Sequence, residues 1–159
     1  MRSRLVRGVL AGAAGTTALN LATYADMAVR ARPASTTPET TVHRAEEVAG
    51  TSLPGTDEAA RDNRRSGSGA LLGLVTGLGS GAVYALLRPA FGRAPLPVLS
   101  AIAGFIANAG GVAPMAALGV TDPRTWDAES WLSDLLPHAA FGVLTAVTYE
   151  HLRAERAEL

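Results

Sequence analysis

Asp134 and His138 are the two residues whose types and spacing could do chemistry. They stand four positions apart, so on a helix the carboxylate and the imidazole lie one turn apart and can touch. A neighbouring carboxylate favours the protonated imidazole, and histidine is the side chain whose charge changes near neutral pH. The spacing therefore predicts a proton-responsive pair. In the alternative interpretation, both side chains are solvated near the start of their helix and only help to cap it.

Asn20 and Asn108 are the other polar candidates, because each falls in the middle of a long uncharged stretch. They could line a polar path, or they could form hydrogen bonds between helices, each worth about 0.6 kcal/mol. We favour the hydrogen bonds, because two amides alone make a sparse pathway.

Known catalytic and metal-binding patterns are missing from the sequence. Cysteine is absent, which excludes disulfides, thiolate metal ligands and cysteine nucleophiles. No second histidine stands near His138 at metal-ligand spacing, and no nucleophile elbow surrounds Ser130 or Ser133. We therefore expect a protein that is not an enzyme and that holds no metal and no cofactor.

One of the predicted helices carries a ladder of glycines at four-residue spacing. It runs from Gly69 to Gly81 inside the charge-free stretch 66–87. Each interior glycine costs a soluble helix about 0.5–1 kcal/mol relative to alanine, whereas membrane helices use small residues to pack closely. The ladder thus predicts an integral membrane protein. The predicted helix-packing residues are Gly8, Gly12, Gly69, Gly73, Gly77, Gly81 and Gly104.

Four stretches are long enough for the roughly 20 apolar residues that a membrane-spanning helix needs. They cover residues 5–27, 67–87, 96–118 and 131–152, and the last is the least hydrophobic. A polar insert, 30–65, with short helical segments separates the first two. The predicted fold is all-α, a single domain formed by a four-helix transmembrane bundle, with the lipid bilayer as its main partner and a homo-oligomer or another membrane protein as a further one.

The charges give little guidance on orientation. All fourteen basic residues are arginine, balanced by fourteen acidic ones, and the arginines divide evenly between the two predicted sides. This balance does not indicate a nucleic-acid surface. Arg2, Arg4 and Arg7 precede the first span, which favours cytoplasmic termini. The alternative is that the first span is a cleaved signal peptide.

The C-terminal third carries a resemblance to a known family. Gly119-Val-Thr-Asp-Pro123, followed by Trp126, Glu129-Ser130, Asp134, His138 and Phe141, resembles the YagU-like bacterial inner-membrane proteins, which are defined by a domain of unknown function. The resemblance implies a multi-pass inner-membrane protein with cytoplasmic termini and a link to acid tolerance. The chain departs from the family pattern at Pro137, in its polar insert and in its Ala- and Gly-rich spans.

Three classes of function are compatible with these features. The leading hypothesis is a non-enzymatic membrane protein with a structural or accessory role, linked to acid tolerance. The alternative is a small transporter or channel that works as an oligomer, because four short spans scarcely enclose a pathway alone. A membrane enzyme comes third.

Overall fold

A computed structural model describes residues 2–155, and within this range every regular element is helical. The five α-helices are α1 (Arg2–Arg30), α2 (Thr37–Ala49), α3 (Glu58–Leu87), α4 (Leu96–Ala117) and α5 (Ala128–Ala154). Short 3-10 turns, Arg88–Phe91 and Pro123–Thr125, precede α4 and α5. The predicted all-α class is confirmed.

Three of these helices are long and apolar enough to cross a membrane. They are Ser3–Arg30, Glu58–Phe91 and Leu96–Ala117, which correspond to α1, α3 and α4. Helix α5 is also long enough, but it is not apolar enough to count as a candidate span by the same comparison of length and composition. The chain therefore has three candidate membrane spans, and the fourth predicted span needs a separate argument.

Helix boundaries follow local capping chemistry. The Asp57 side chain accepts a hydrogen bond from the Ala60 backbone N–H at 2.8 Å and caps the start of α3. The helix then continues without a break into the glycine ladder, so it begins well before the predicted span at residue 67. Asp127 caps α5 in the same way, through the Ser130 N–H at 2.7 Å.

In the bundle, α1 lies between α3 and α5, and α4 closes it against α5 and, over a smaller contact, α3. Small residues such as Ala11, Ala85 and Ala146 fill much of the interior. Large apolar residues such as Phe105 and Leu21 lie on the outside. So many exposed large apolar side chains are unusual on a soluble protein and suit a lipid environment.

The ladder brings α1 and α3 together backbone to backbone. A Cβ built at Gly12 would lie 2.6 Å from the Gly77 carbonyl oxygen, and one built at Gly8 would lie 2.6 Å from the Gly81 carbonyl oxygen. Gly77 in turn packs against Thr16. These positions leave no room for any side chain. Close packing of the two backbones therefore accounts for these glycines, although glycine weakens a helix.

Of the other glycines predicted to pack, Gly69 and Gly104 make close contacts and Gly73 does not. A Cβ at Gly104 would lie 2.8 Å from the His138 carbonyl oxygen, and one at Gly69 would lie 2.8 Å from Pro38 Cβ. The prediction for Gly73 is wrong within the described chain, because no heavy atom lies within 4 Å of a Cβ built there. Along this face of α3, the close contacts with α1 run from Gly81 to Gly77 and do not extend to Gly73.

The polar insert folds onto the bundle through α2. The carboxylate of Glu46 accepts the Leu53 backbone N–H and, at 2.7 Å, the Arg65 Nε–H of α3. These bonds, the Leu53 one foremost, lower the pKa of Glu46. Because the folded pKa lies below the unfolded one, this stabilisation is present above the ordinary glutamate pKa and is lost as the pH falls through the lowered value.

Candidate functional site

Asp134 and His138 meet a third polar residue, Asn108, where α4 packs on α5. The Asn108 side-chain amide donates a hydrogen bond to Asp134 Oδ2 across the helix interface. His138 Nδ1 lies 2.7 Å from the Asp134 backbone carbonyl oxygen and 3.5 Å from Asp134 Oδ1. The Asp134 and His138 side chains are only 18% and 19% exposed. We call these three residues the polar cluster.

The hydrogen bonds determine which nitrogen of His138 carries a proton. A carbonyl oxygen can only accept, so the 2.7 Å contact places a hydrogen on Nδ1. The Asn108 amide nitrogen, 3.5 Å from Nδ1, is also a donor, and the two therefore do not bond to each other. His138 Nε2 has no hydrogen-bond partner among the described residues.

Close backbone packing builds this cluster. Gly142 of α5 lies against Gly104 of α4, where a Cβ on Gly142 would stand 2.8 Å from the Gly104 amide nitrogen. Asn108 is one turn beyond Gly104, so the same approach brings its short side chain to α5. Pro137 lies inside α5 and lacks the N–H that would otherwise bond the Ser133 carbonyl.

An apolar groove of about 660 Å³ runs along the α4–α5 junction, and Asn108 and His138 line part of it. The remaining lining is almost entirely apolar and comes from both helices: Leu96, Pro97, Ser100, Ala101, Gly104, Phe105, Leu135, Ala139 and Val143. Such a groove can accept a lipid chain or an apolar helix, with the polar cluster available to a hydrogen-bonding group.

A charged network joins α1 to α5 beside the polar cluster. Arg30 pairs with Asp26 one turn earlier, with Nε 2.5 Å from Oδ1. It also reaches Glu129 at 3.1 Å and the Ser133 hydroxyl at 2.5 Å. Ser133 adjoins Asp134 in sequence, so this network fixes the start of α5 relative to α1. The sequence did not predict that Arg30 contacts Glu129 and Ser133, because their separation from Arg30 along the chain leaves no local signal.

Asn20 is not brought to this site. It is partly buried on α1, and its side chain makes no hydrogen bond within residues 2–155. In the same range no group of three or more His, Cys, Asp or Glu side chains could hold a metal ion. The polar cluster is therefore the principal arrangement of chemically capable side chains at the α4–α5 interface.

No family model, curated protein or solved structure matches this chain. The YagU-like resemblance accordingly stays a prediction from residues 119–141. What the protein does must be argued from the geometry of the polar cluster, the groove and the helix surfaces.

Proposed function

We propose that this chain is a four-span inner-membrane protein of the YagU-like type, with a non-enzymatic accessory role in acid tolerance. The observation that carries the proposal is the hydrogen bond from Asn108 on α4 to the Asp134 carboxylate on α5, beside a titratable His138. This bond joins two helices through an ionisable carboxylate, and we expect acid to weaken it.

The surface of α5 supports its assignment as the fourth span. Of its side chains, Thr145 and Tyr149 are buried, while Leu132, Leu136 and Val147 face outward. A helix of 27 residues is about 40 Å long, more than the roughly 30 Å hydrocarbon core. The exposed charged side chains of α5, Glu129, His151 and Arg153, lie near its two ends and can therefore fall outside that core.

Reporter fusions test the four-span topology. Fusions after Arg93 and at the C-terminus should both report the cytoplasm, and a fusion after Thr51 should report the outside, because an even number of spans returns the chain to its starting side. A C-terminal fusion that agrees with the Thr51 fusion would show that α5 does not cross. A Thr51 fusion in the cytoplasm, with the other two outside, would invert the orientation.

Protonation of His138 is the event that we expect to alter the α4–α5 contact. It would place a charge on Nε2 at an apolar groove, and charges at membrane depth are costly unless water or a counter-charge reaches them. The counter-charge within reach is Asp134, whose Oδ1 lies 3.5 Å from His138 Nδ1 and whose Oδ2 accepts the Asn108 bond, whereas α4 contributes no charged residue. A charged imidazole would draw the Asp134 carboxylate towards itself and away from Asn108, and we expect the α4–α5 contact to loosen.

Spin labels across the groove measure this loosening. The chain has no native cysteine, so Ala101→Cys and Val143→Cys place one label on each lining helix. We expect the distance between labels to increase when the pH falls from neutral to acidic, and we expect His138→Gln to abolish that change. The matched control is His151→Gln, an exposed histidine whose Nε2 lies 3.3 Å from Glu155.

The same variants test the physiological role. In a strain that lacks the native gene, His138→Gln and Asp134→Asn should restore growth at low pH less well than the wild-type chain or His151→Gln. Equal growth of all four, with a label distance that does not depend on pH, would reject the acid-sensing role and leave the cluster as a structural contact.

A transport role gains less support from the interior of the bundle. Tyr84, Phe141 and Thr145 are fully buried and fill the space between the helices. A pathway would then have to form between protomers rather than within one chain.

A further inference from the structure

A pocket rich in arginine lies at the opposite end of the bundle from the polar insert. It has a volume of about 360 Å³ where α1 begins and where α3 and α5 end. Its lining residues are Arg4, Arg7, Arg88, Pro89, Gly92, Tyr149 and Arg153. We call it the arginine pocket.

Positive charge in the arginine pocket is only partly neutralised. Glu150 bonds Arg88 at 2.6 Å and Arg153 at 2.9 Å, so one carboxylate serves two guanidinium groups. Arg4 and Arg7 make no ion pair with any described residue. A concave site with this excess of positive charge attracts and concentrates anions.

Two arginines of the pocket are enclosed, and one of them has an unpartnered donor. Arg88 is only 6% exposed and is fixed in place, since it also donates to the Gly92 carbonyl oxygen at 3.0 Å. The Nε of Arg7 is enclosed and has no hydrogen-bond partner among the described residues. An enclosed guanidinium N–H without an acceptor is costly, and an anionic oxygen in the pocket would satisfy it.

We propose that the arginine pocket binds a phosphate oxyanion, supplied by the headgroup of an anionic phospholipid. Planar guanidinium groups match phosphate oxygens in a bidentate manner. Two candidate membrane-spanning helices border the pocket, α1 at its start and α3 at its end, so it lies where phospholipid headgroups are found. Basic pockets between helices on the cytoplasmic side of membranes recognise such headgroups. This inference is independent of acid sensing by the polar cluster.

Lipid binding to the purified full-length chain tests the proposal. Phosphatidylglycerol should bind about tenfold or more tightly than zwitterionic phosphatidylcholine, as counted by native mass spectrometry. Arg4→Gln/Arg7→Gln should remove this preference, because these two arginines make no ion pair among residues 2–155. Arg93→Gln is the control, since Arg93 is exposed at the same end of the bundle and does not line the pocket. Arg7→Lys should retain most of the preference.

Inorganic phosphate distinguishes the two sources of the oxyanion. If phosphate raises the melting temperature in neutral detergent, and the double variant abolishes that effect, the site takes free phosphate as well as lipid. If phosphate has no effect while phosphatidylglycerol binds, the source is the headgroup. A wild-type chain without preference for phosphatidylglycerol and without a response to phosphate would overturn the proposal. So would a preference that survives in the double variant. If the double variant does not fold, Arg4→Gln alone decides between these outcomes.

Discussion

Replacing Gly81 with alanine should destabilise the bundle more than adding a methyl group at almost any other position would. A Cβ there would lie 2.5 Å from the Gly12 Cα and 2.6 Å from the Gly12 nitrogen, both backbone atoms. No rotamer change can relieve a clash with backbone, so α1 must move away from α3. Overpacking of this kind costs about 1–3 kcal/mol or more. Thermal unfolding in one detergent should therefore give a clearly lower melting temperature.

Gly73→Ala is the matched control on the same helix. No heavy atom of the described chain lies within 4 Å of a Cβ at this position. The methyl group should fit, and the gain in helix propensity of about 0.5–1 kcal/mol should leave the melting temperature unchanged or slightly raised. Equal losses for the two variants would mean that Gly73 also packs, for example against a second copy of the chain, and that the ladder acts beyond this one interface.

Much of the helical framework could be predicted from sequence. Uncharged stretches, Asp57 at a cap and glycines at four-residue spacing each act through the local chain, so they indicate helices and their packing faces without a structure. Which partner each glycine meets depends on where two helices cross. The sequence therefore predicted contacts for Gly77 and Gly73 alike, although only Gly77 lies near the crossing with α1.

The candidate site likewise combines local features, which the sequence shows, with contacts between helices, which it does not. The spacing of Asp134 and His138 is local and was visible, whereas their partner Asn108 comes from another helix. The arginine pocket gave no signal at all, because Arg7, Arg88 and Arg153 are far apart in the chain and only the bundle brings them together. The mean hydropathy of α5 is likewise ambiguous until its inward and outward faces are separated.

Removing the charge of Arg88 should have the second large effect on stability. Arg88 is nearly buried, and its guanidinium bonds both carboxylate oxygens of Glu150, at 2.6 and 3.1 Å. Arg88→Met keeps the volume but leaves Glu150 with Arg153 as its remaining partner. Breaking a fully buried ion pair costs about 3–5 kcal/mol. Because the Glu150 side chain is 28% exposed and Arg153 still compensates part of its charge, we expect a smaller loss, about 2 kcal/mol, in the free energy of unfolding.

A double-mutant cycle separates the free energy that the ion pair contributes from the cost of leaving one of its charges unpaired. Arg88→Met/Glu150→Met removes both charges, and it should recover much of the loss seen in either single variant, because the desolvated charge is gone. The exposed pair of Arg124 and Asp122 is the control, and Arg124→Met should change the melting temperature little. If the double variant lost as much as the two single variants added together, Arg88 and Glu150 would stabilise the bundle independently. The buried ion pair would then not be what holds the end of α3 against α5.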